Sequence, residues 1–464
     1  MITFSRLILL IVFIGSPGIC NSQSNSPPPN IILIMADDLG YGDLSITGST
    51  EIRTPYIDQL AREGVMLTEG YVSAPVCSPS RAGIMTGRNQ VEFGFNNNIG
   101  GNQPGFDPAF LGLPLTETTI AERLQKQNYV TGLIGKWHLG ELPVYHPGNR
   151  GFDEYWTYKK GSHDYFIADP TLNGIKDSID CNYKTVKGIS YITDDKGDEA
   201  VEFIERHNSD PFFLFVSFNA PHTPMQAKES ALKQYAHIED EGRRTYAAMV
   251  HTLDENVGKI VSSLEKQGIS ENTLVVFLSD NGGPVIHNHS LNAPYNGMKG
   301  ILLEGGIHVP FIMKWPNVLE AGSNFDKPVI ATDLAPTFLN VSGGEIKSED
   351  FDGNGVNIIE QINTDNVSIS SRELKWRFTI SAAIREGEWK LIRLPDRLPL
   401  LFNLNDDISE QHNVAMEQLD ITKLLLNRLG DWDVTLPHPV FLEGAEWKKR
   451  QLELYDRNYK LIQP

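Results

Sequence analysis

Four groups of polar residues stand directly beyond short apolar runs: Asp37-Asp38, Lys136 with His138, His222, and Asp280-Asn281. Asp37, Asp38, Asp280 and Asn281 offer hard oxygen donors, a set that suits Ca²⁺ or Mg²⁺ rather than zinc, which prefers His and Cys. Either pair alone serves equally well as a turn or helix cap. The two together favour a metal. A nucleophile stands in Cys77-Ser78-Pro79-Ser80-Arg81, where Pro79 pre-sets a first helical turn. Cys77 then lies at a helix N-terminus, where free amides favour an anion and where a bare thiolate would also sit. Taken singly, Arg81, Lys136 and Lys299 are ordinary surface charges, and His138 and His222 are satisfied core histidines.

The elements that position these residues follow from hydrophobic pattern. Ile31–Met35, Tyr129–Ile134, Phe212–Val216, Leu274–Leu278 and Val309–Met313 are short, almost wholly apolar runs, and read as buried strands. Helical patterns lie between them at Thr118–Gln127, Glu199–His207 and Arg244–Gln267; in the last, Met249, Leu253, Val257, Ile260 and Leu264 recur at helical spacing. This alternation predicts an α/β fold, a large, mostly parallel sheet sandwiched by helices. Ligands of such sheets gather at the carboxyl ends of strands, which is where the four polar groups fall. Beyond about Glu349 the pattern changes. Phe378–Arg385 and Glu388–Arg393 flank a Glu-Gly turn as an antiparallel hairpin, with a further strand at Leu400–Leu404 and a helix at Ile421–Leu429. We read residues 23–369 as a catalytic domain and 370–464 as a smaller C-terminal α+β unit with an antiparallel sheet.

The segment Val76-Cys77-Ser78-Pro79-Ser80-Arg81 continues as Ala82-Gly83-Ile84-Met85-Thr86-Gly87-Arg88. It resembles the signature of the formylglycine-dependent sulfatases, Cys/Ser-x-Pro-x-Arg followed by Thr-Gly-Arg. Gly132–Gly140, Pro29–Gly40, Asp280-Asn281-Gly282 and Asn296-Gly297-Met298-Lys299-Gly300 are similar to other segments of that family. The resemblance runs from about residue 29 to 315, with a weaker echo at Leu401–Asp406. It implies an alkaline-phosphatase-like fold and oxidation of Cys77 to formylglycine by a formylglycine-generating enzyme during maturation. It further implies calcium held by Asp37, Asp38, Asp280, Asn281 and the modified Cys77, with magnesium the lesser choice. By the same resemblance, Arg81 and Lys136 hold the hydrated aldehyde, Lys299 binds sulfate, His222 protonates the leaving alcohol and His138 is the base that frees sulfate. The stretch Gln90–Asn98 is most like that of marine bacterial enzymes acting on carrageenan-type galactans. His287, His289 and the loop His163-Asp164-Tyr165 are candidates for sugar contact. A small aryl sulfate, a phosphoester or phosphonate ester, and a non-catalytic glycan-binding role are the alternatives.

Composition bounds the rest. The 464-residue chain carries 40 Lys+Arg against 59 Asp+Glu, a formal charge of −19. That balance argues against a nucleic-acid partner, while a local cationic pocket still accommodates an anionic substrate at short range. Residues 1–22 read as an export signal: Arg6, the apolar run Leu7–Ile14, helix breakers at Gly15, Pro17 and Gly18, and a small residue at Ser22. The expected location is therefore secreted or periplasmic, with no membrane-spanning segment after signal removal. A lipid anchor at Cys20 fits poorly, because Ile19 before it is large. Cys77 and Cys181 then remain, and no structural disulfide is expected. Asn288, Asn340 and Asn366 head sequons.

Overall fold

The computed structural model describes residues 27–459 apart from 101–105, 183–185, 187, 348–349, 354, 365–366 and 443–444. The expected signal 1–22, Cys20 and Asn366 lie outside the described residues. Among those described, no helix is long and apolar enough to cross a membrane, and Cys77 and Cys181 are free thiols.

The main sheet is built from β1 (Asn30–Ala36), β2 (Val65–Leu67), β4 (Val130–Lys136), β5 (Glu154–Tyr158), β6 (Asp180–Cys181), β7 (Phe212–Ser217), β8 (Thr273–Ser279), β9 (Phe311–Lys314) and β10 (Ser323–Phe325). Its order is β10-β2-β9-β8-β1-β7-β4-β5-β6. The five strands β8, β1, β7, β4 and β5 run parallel. The apolar run at 309–313 forms a strand only from Phe311, and it runs antiparallel to β8. A small pair, β3 (Gly70–Tyr71) with β11 (Val329–Ile330), lies apart from this sheet.

Strand β1 shows why the central runs are continuously apolar. Ile31, Leu33 and Met35 enter one core; Ile32, Ile34 and Ala36 enter another on the opposite face. A strand covered on both faces has no polar side. The second core includes Phe203 and Ile204 from helix Ile192–Arg206 and Met249, Leu253 and Val257 from helix Glu241–Gln267. The former begins well before the expected Glu199, because Thr193, Lys196 and Gly197 are buried and Gly197 lies directly against Asn256 of the long helix.

The C-terminal four-stranded antiparallel sheet follows the order β12 (Glu373–Phe378), β13 (Ser381–Glu386), β14 (Trp389–Arg393) and β15 (Leu400–Asn403). The run expected as one strand from Phe378 to Arg385 is broken: Thr379 has φ 45° and the chain reverses there. Phe378-Thr379-Ile380 contains no Gly or Pro, so sequence pattern conceals the turn. Helices Leu419–Asp433 and Ala445–Tyr459 complete this part. Trp376 and Phe378 lie in the same core as Leu33 and Met85.

Charge also ties the C-terminal sheet to helix Glu304–Ile307. Lys390 on β14 is buried and reaches Glu304 at 2.7 Å and Glu410 at 2.8 Å. Tyr71 donates to the other Glu304 oxygen at 2.7 Å, and His308 lies 2.8 Å from it. Removing the central cation takes from Glu304 and Glu410 the lysine they share, and breaking a buried ion pair in this way typically costs about 3–5 kcal/mol. Lys390→Met is therefore expected to lower stability to urea by that order, with partial recovery in Lys390→Met/Glu410→Gln. An unchanged unfolding midpoint in the single variant would contradict this account of the junction.

Candidate active site

Because β8, β1, β7 and β4 are adjacent and parallel, their carboxyl ends form one edge. Asp280-Asn281 follow β8, Asp37-Asp38 follow β1, the His222 turn follows β7, and Lys136 closes β4. Asp38 has φ 66° and His138 φ 57°. Asp tolerates this left-handed conformation better than most residues. The resulting bend lets the two neighbouring aspartates enter one cluster, where Asp37, Asp38, Cys77 and His222 present donor atoms within 4.8 Å of one another.

Helix Cys77–Thr86 brings the nucleophile candidate to this edge. Its first turn is anchored from outside: Ser78 N–H donates to Asn98 at 2.9 Å, and the Ser78 hydroxyl donates to the His138 carbonyl at 2.7 Å. Cys77 is buried, with Sγ 3.3 Å from Asp37 and 3.1 Å from the Lys299 ammonium. Burial pushes its thiol far up, and Asp280 and Asp37 add to the shift. The helix terminus therefore does not by itself yield a reactive thiolate.

Arg81 lies one turn further along and is also buried. Its Nη2 is 2.8 Å from Asp280, its Nε donates to the same oxygen at 2.9 Å, and Nη1 donates to Ser217 at 2.6 Å. Lys136 reaches Asp37 at 2.6 Å, and Lys299 reaches Asp38 at 2.7 Å. Burial works to raise the Asp37 pKa, but Lys136, His222 and Arg81 hold it well below the usual carboxylate range. Asp280 is pushed up to about 6 by burial and by the charge of Asp37.

The two histidines differ in what their rings face. His138 Nε2 lies 3.0 Å from the Ile99 carbonyl, so that nitrogen carries the proton. Burial, then Lys136, lowers its pKa well below the ordinary value. Both influences favour the neutral ring, and its buried Nδ1 has no hydrogen-bond partner among the described residues. His222 uses Nδ1 to bond the Thr223 carbonyl at 2.6 Å and turns Nε2 toward Asp38 at 3.5 Å.

The donor set fits an oxygen-seeking divalent cation. Asp37, Asp38 and Asp280 are buried beside Asn281, whose Oδ1 is buried without a hydrogen-bond partner among the described residues. Its amide nitrogen donates to Asp38 at 2.7 Å and thereby orients the side chain.

The sugar-contact candidates separate. His287 lines a hollow beside Asp38, His222 and Lys299. His289 instead lies 3.1 Å from Asp240. His163 is buried with both ring nitrogens facing backbone carbonyls, of Asp164 and Asp177, while Tyr165 braces the His222 turn by bonding the Asn219 and His222 carbonyls. Lys196 escaped the sequence reading. It is fully buried, donates to Asn219 at 2.6 Å and lies over the Tyr158 ring. A lysine beside a helix glycine reads as exposed; only the packing of two helices buries it.

Comparison with known proteins identifies the class. Residues 29–344 match the sulfatase family model, and residues 298–433 match the C-terminal region of N-sulphoglucosamine sulphohydrolase. The chain belongs to the sulfatase family. It is 34% identical over 335 residues to N-acetylgalactosamine-6-sulfatase of Mus musculus, a match covering 68% of this chain and 63% of that protein. The chain thus spans less than two thirds of that relative. The crystal structure of Ps i-CgsB in complex with k-i-k-neocarrahexaose superposes with a TM-score of 0.84 at 35% identity, covering 93% of this chain and 100% of that one. The phosphonate monoester hydrolase of Agrobacterium radiobacter shares the fold at a TM-score of 0.62 and 19% identity, over 88% of this chain and 95% of that one.

Asn281 supplies a direct test of the donor set. If these residues hold a divalent cation, Asn281→Ala is expected to weaken binding of added Ca²⁺ or Mg²⁺ by roughly 10-fold or more, read by calorimetry, and to shrink any rise in melting temperature that the cation gives the chelator-treated protein. Equal calcium binding by both proteins would remove Asn281 from the set.

Proposed function

We propose that the protein is a sulfuric ester hydrolase acting on sulfated glycans, in particular a galactan of the carrageenan type. The observation that carries this reading is the position of Cys77: a buried side chain at a helix N-terminus, within 3.3 Å of Asp37 and 3.1 Å of Lys299. Burial and the charges of Asp280 and Asp37 disfavour the free thiolate there, and the likeness of Cys77-x-Pro79-x-Arg81 to the formylglycine signature supports an oxygen nucleophile made from Cys77. Formylglycine at position 77 supplies that oxygen once hydrated, and calcium held by Asp37, Asp38, Asp280, Asn281 and residue 77 polarises the sulfate when bound.

Charge balance favours an anionic ester. Within the cluster, Asp37, Asp38 and Asp280 are offset by Arg81, Lys136 and Lys299. A divalent cation turns this neutral set positive, and a low-dielectric pocket strengthens its hold on a sulfate group. Lys299 binds the sulfate oxygens, and Arg81 and Lys136 fix the nucleophile. His222, whose Nδ1–H is committed to the Thr223 carbonyl, delivers a proton from Nε2 to the leaving alcohol as the imidazolium, a form that burial opposes and that Asp37 and Asp38 favour. His138 accepts a proton at Nδ1 during sulfate release, the nitrogen left available because Nε2 is committed to the Ile99 carbonyl. The galactan assignment rests on likeness to Ps i-CgsB, whose solved complex holds k-i-k-neocarrahexaose. We further propose export by the 1–22 segment to a secreted or periplasmic location, and maturation by a formylglycine-generating enzyme.

Sulfate release from a panel of carrageenan and glycosaminoglycan oligosaccharides tests the function. Release from carrageenan oligosaccharides is expected to exceed the others, and release from none would overturn the reading. Cys77→Ala removes the nucleophile with little change in volume, so turnover is expected to vanish while the melting temperature stays close to that of the parent. Activity near the parent level in that variant would refute the role of residue 77.

The histidines divide by step. His222→Ala is expected to slow sugar sulfates by ~10²-fold or more, and an activated aryl sulfate far less, because only the poor leaving group needs the proton. His138→Ala is expected to give a burst of alcohol release followed by slow sulfate release. Equal slowing of both ester classes by His222→Ala, with no burst in His138→Ala, would show that both rings only position the sulfate.

A further inference from the structure

Helix Ile192–Arg206 sends a long polar side chain into the core beside the catalytic cluster. Lys196 is fully buried, and its stem crosses β4 at Gly135, where a Cβ would come within 3.0 Å of Lys196 Cε. Beyond that glycine its amine donates to Asn219 Oδ1 at 2.6 Å, the one hydrogen bond it makes among the described residues, and it forms no ion pair with them. Burial works against the charged form; Asp37 favours it, and Arg81 and Lys136 oppose it. A lysine in such a place costs more than an apolar residue of similar length. The amine is therefore retained for what it holds.

Asn219 opens the turn that carries His222. Its carbonyl accepts the His222 N–H at 2.8 Å, and the next carbonyl, of Ala220, accepts the Asp37 N–H at 3.1 Å. The Tyr165 hydroxyl lies 2.8 Å from the Asn219 carbonyl and 2.8 Å from that of His222. The two braces share a support, because the Tyr165 carbonyl accepts the N–H of Ile192, the first residue of the helix that bears Lys196. Accepting the sulfatase reading and the proton-donor role of His222, we propose that Lys196 and Tyr165 are positioning residues for that histidine. Lys196 holds the turn by the Asn219 side chain and Tyr165 holds it by two carbonyls; together they fix where Nε2 points. His222 Nδ1 bonds only the adjoining Thr223, so the ring moves with the turn. Neither Lys196 nor Tyr165 lines the hollow formed by Asp38, His222 and Lys299, so each acts through the histidine.

The test compares Lys196→Met, Tyr165→Phe and His222→Ala in the modified full-length enzyme, on sulfate esters whose leaving groups range from an activated phenol to a sugar alcohol. Lys196→Met is expected to slow the sugar ester by ~10-fold or more in kcat and the activated ester far less. Tyr165→Phe, which removes one hydroxyl, should show the same selectivity to a smaller extent, and carries the test if Lys196→Met does not fold. Lys196→Met/His222→Ala should be no slower than His222→Ala alone, because the one effect runs through the other. Lys196→Met/Asn219→Leu removes both buried polar partners; it should recover lost melting temperature without recovering the sugar-ester rate. Crystals of Lys196→Met supply a readout apart from activity: the turn 219–222 should shift or lose order while Cys77 and Lys299 stay in place. Equal slowing of all esters in Lys196→Met and Tyr165→Phe, with the turn unmoved, overturns the positioning role. The two readings fail separately. A displaced turn in Lys196→Met, with both ester classes slowed equally by His222→Ala, would sustain the positioning and remove the proton donor. Selective slowing by His222→Ala, with Lys196→Met and Tyr165→Phe like the parent, would do the reverse.

Discussion

Arg81 lies within 2.8 Å of Asp280, 3.8 Å of Asp37, 2.6 Å of Ser217 and 3.2 Å of the Lys136 carbonyl. Those four partners sit at the ends of β8, β1, β7 and β4, so a single buried guanidinium from helix Cys77–Thr86 ties four strand termini together. In a low-dielectric interior such a cation is tolerable only with carboxylates close by, and carboxylates packed this tightly are tolerable only around a cation. The arrangement therefore constrains both sides. The helix that carries Arg81 must enter at this edge, and its N-terminus then places Cys77 beside Asp37. Lysine in place of Arg81 offers one donor centre and cannot reach the same set with fixed geometry.

The parallel alignment supplies the other half of the constraint. Each central strand is apolar throughout because both faces are covered, so polar residues appear only where a strand ends. Asp37, Lys136, Ser217 and Asp280 are thus separated by up to 243 residues in sequence and by a few ångströms in space. A metal, an anionic ester and a proton donor all require groups that converge from several directions, which one loop alone seldom provides.

Much of this was legible in sequence, and for a physical reason. Strand runs bounded by Asp-Asp, Lys-Trp-His or Asp-Asn announce their own ends, so Asp37, Asp38, Lys136, Asp280 and Asn281 can be assigned to one sheet edge without coordinates. The Cys77-x-Pro79-x-Arg81 spacing likewise marks a helix start. What sequence pattern hides is contact made late in the fold. Lys196 is buried only because two helices pack closely at Gly197. Arg450 meets His287 across 163 residues, with no periodicity to connect them. The reversal at Thr379 lacks Gly or Pro, and the junction through Lys390, Glu304 and Glu410 joins residues that read singly as surface charges. Local pattern reveals ends of elements; it does not reveal which distant element covers them.

The account rests on residue 77 acting through an oxygen that cysteine itself does not provide. The most direct measurement is mass spectrometry of the tryptic peptide containing residue 77, together with sulfate release from carrageenan oligosaccharides, on preparations converted to different extents by co-expression with a formylglycine-generating enzyme. The account predicts that the peptide carries an aldehyde in place of the thiol and that the sulfate-release rate rises in proportion to the converted fraction, reaching zero with the unconverted cysteine. Full activity in protein whose Cys77 is wholly unmodified would contradict it.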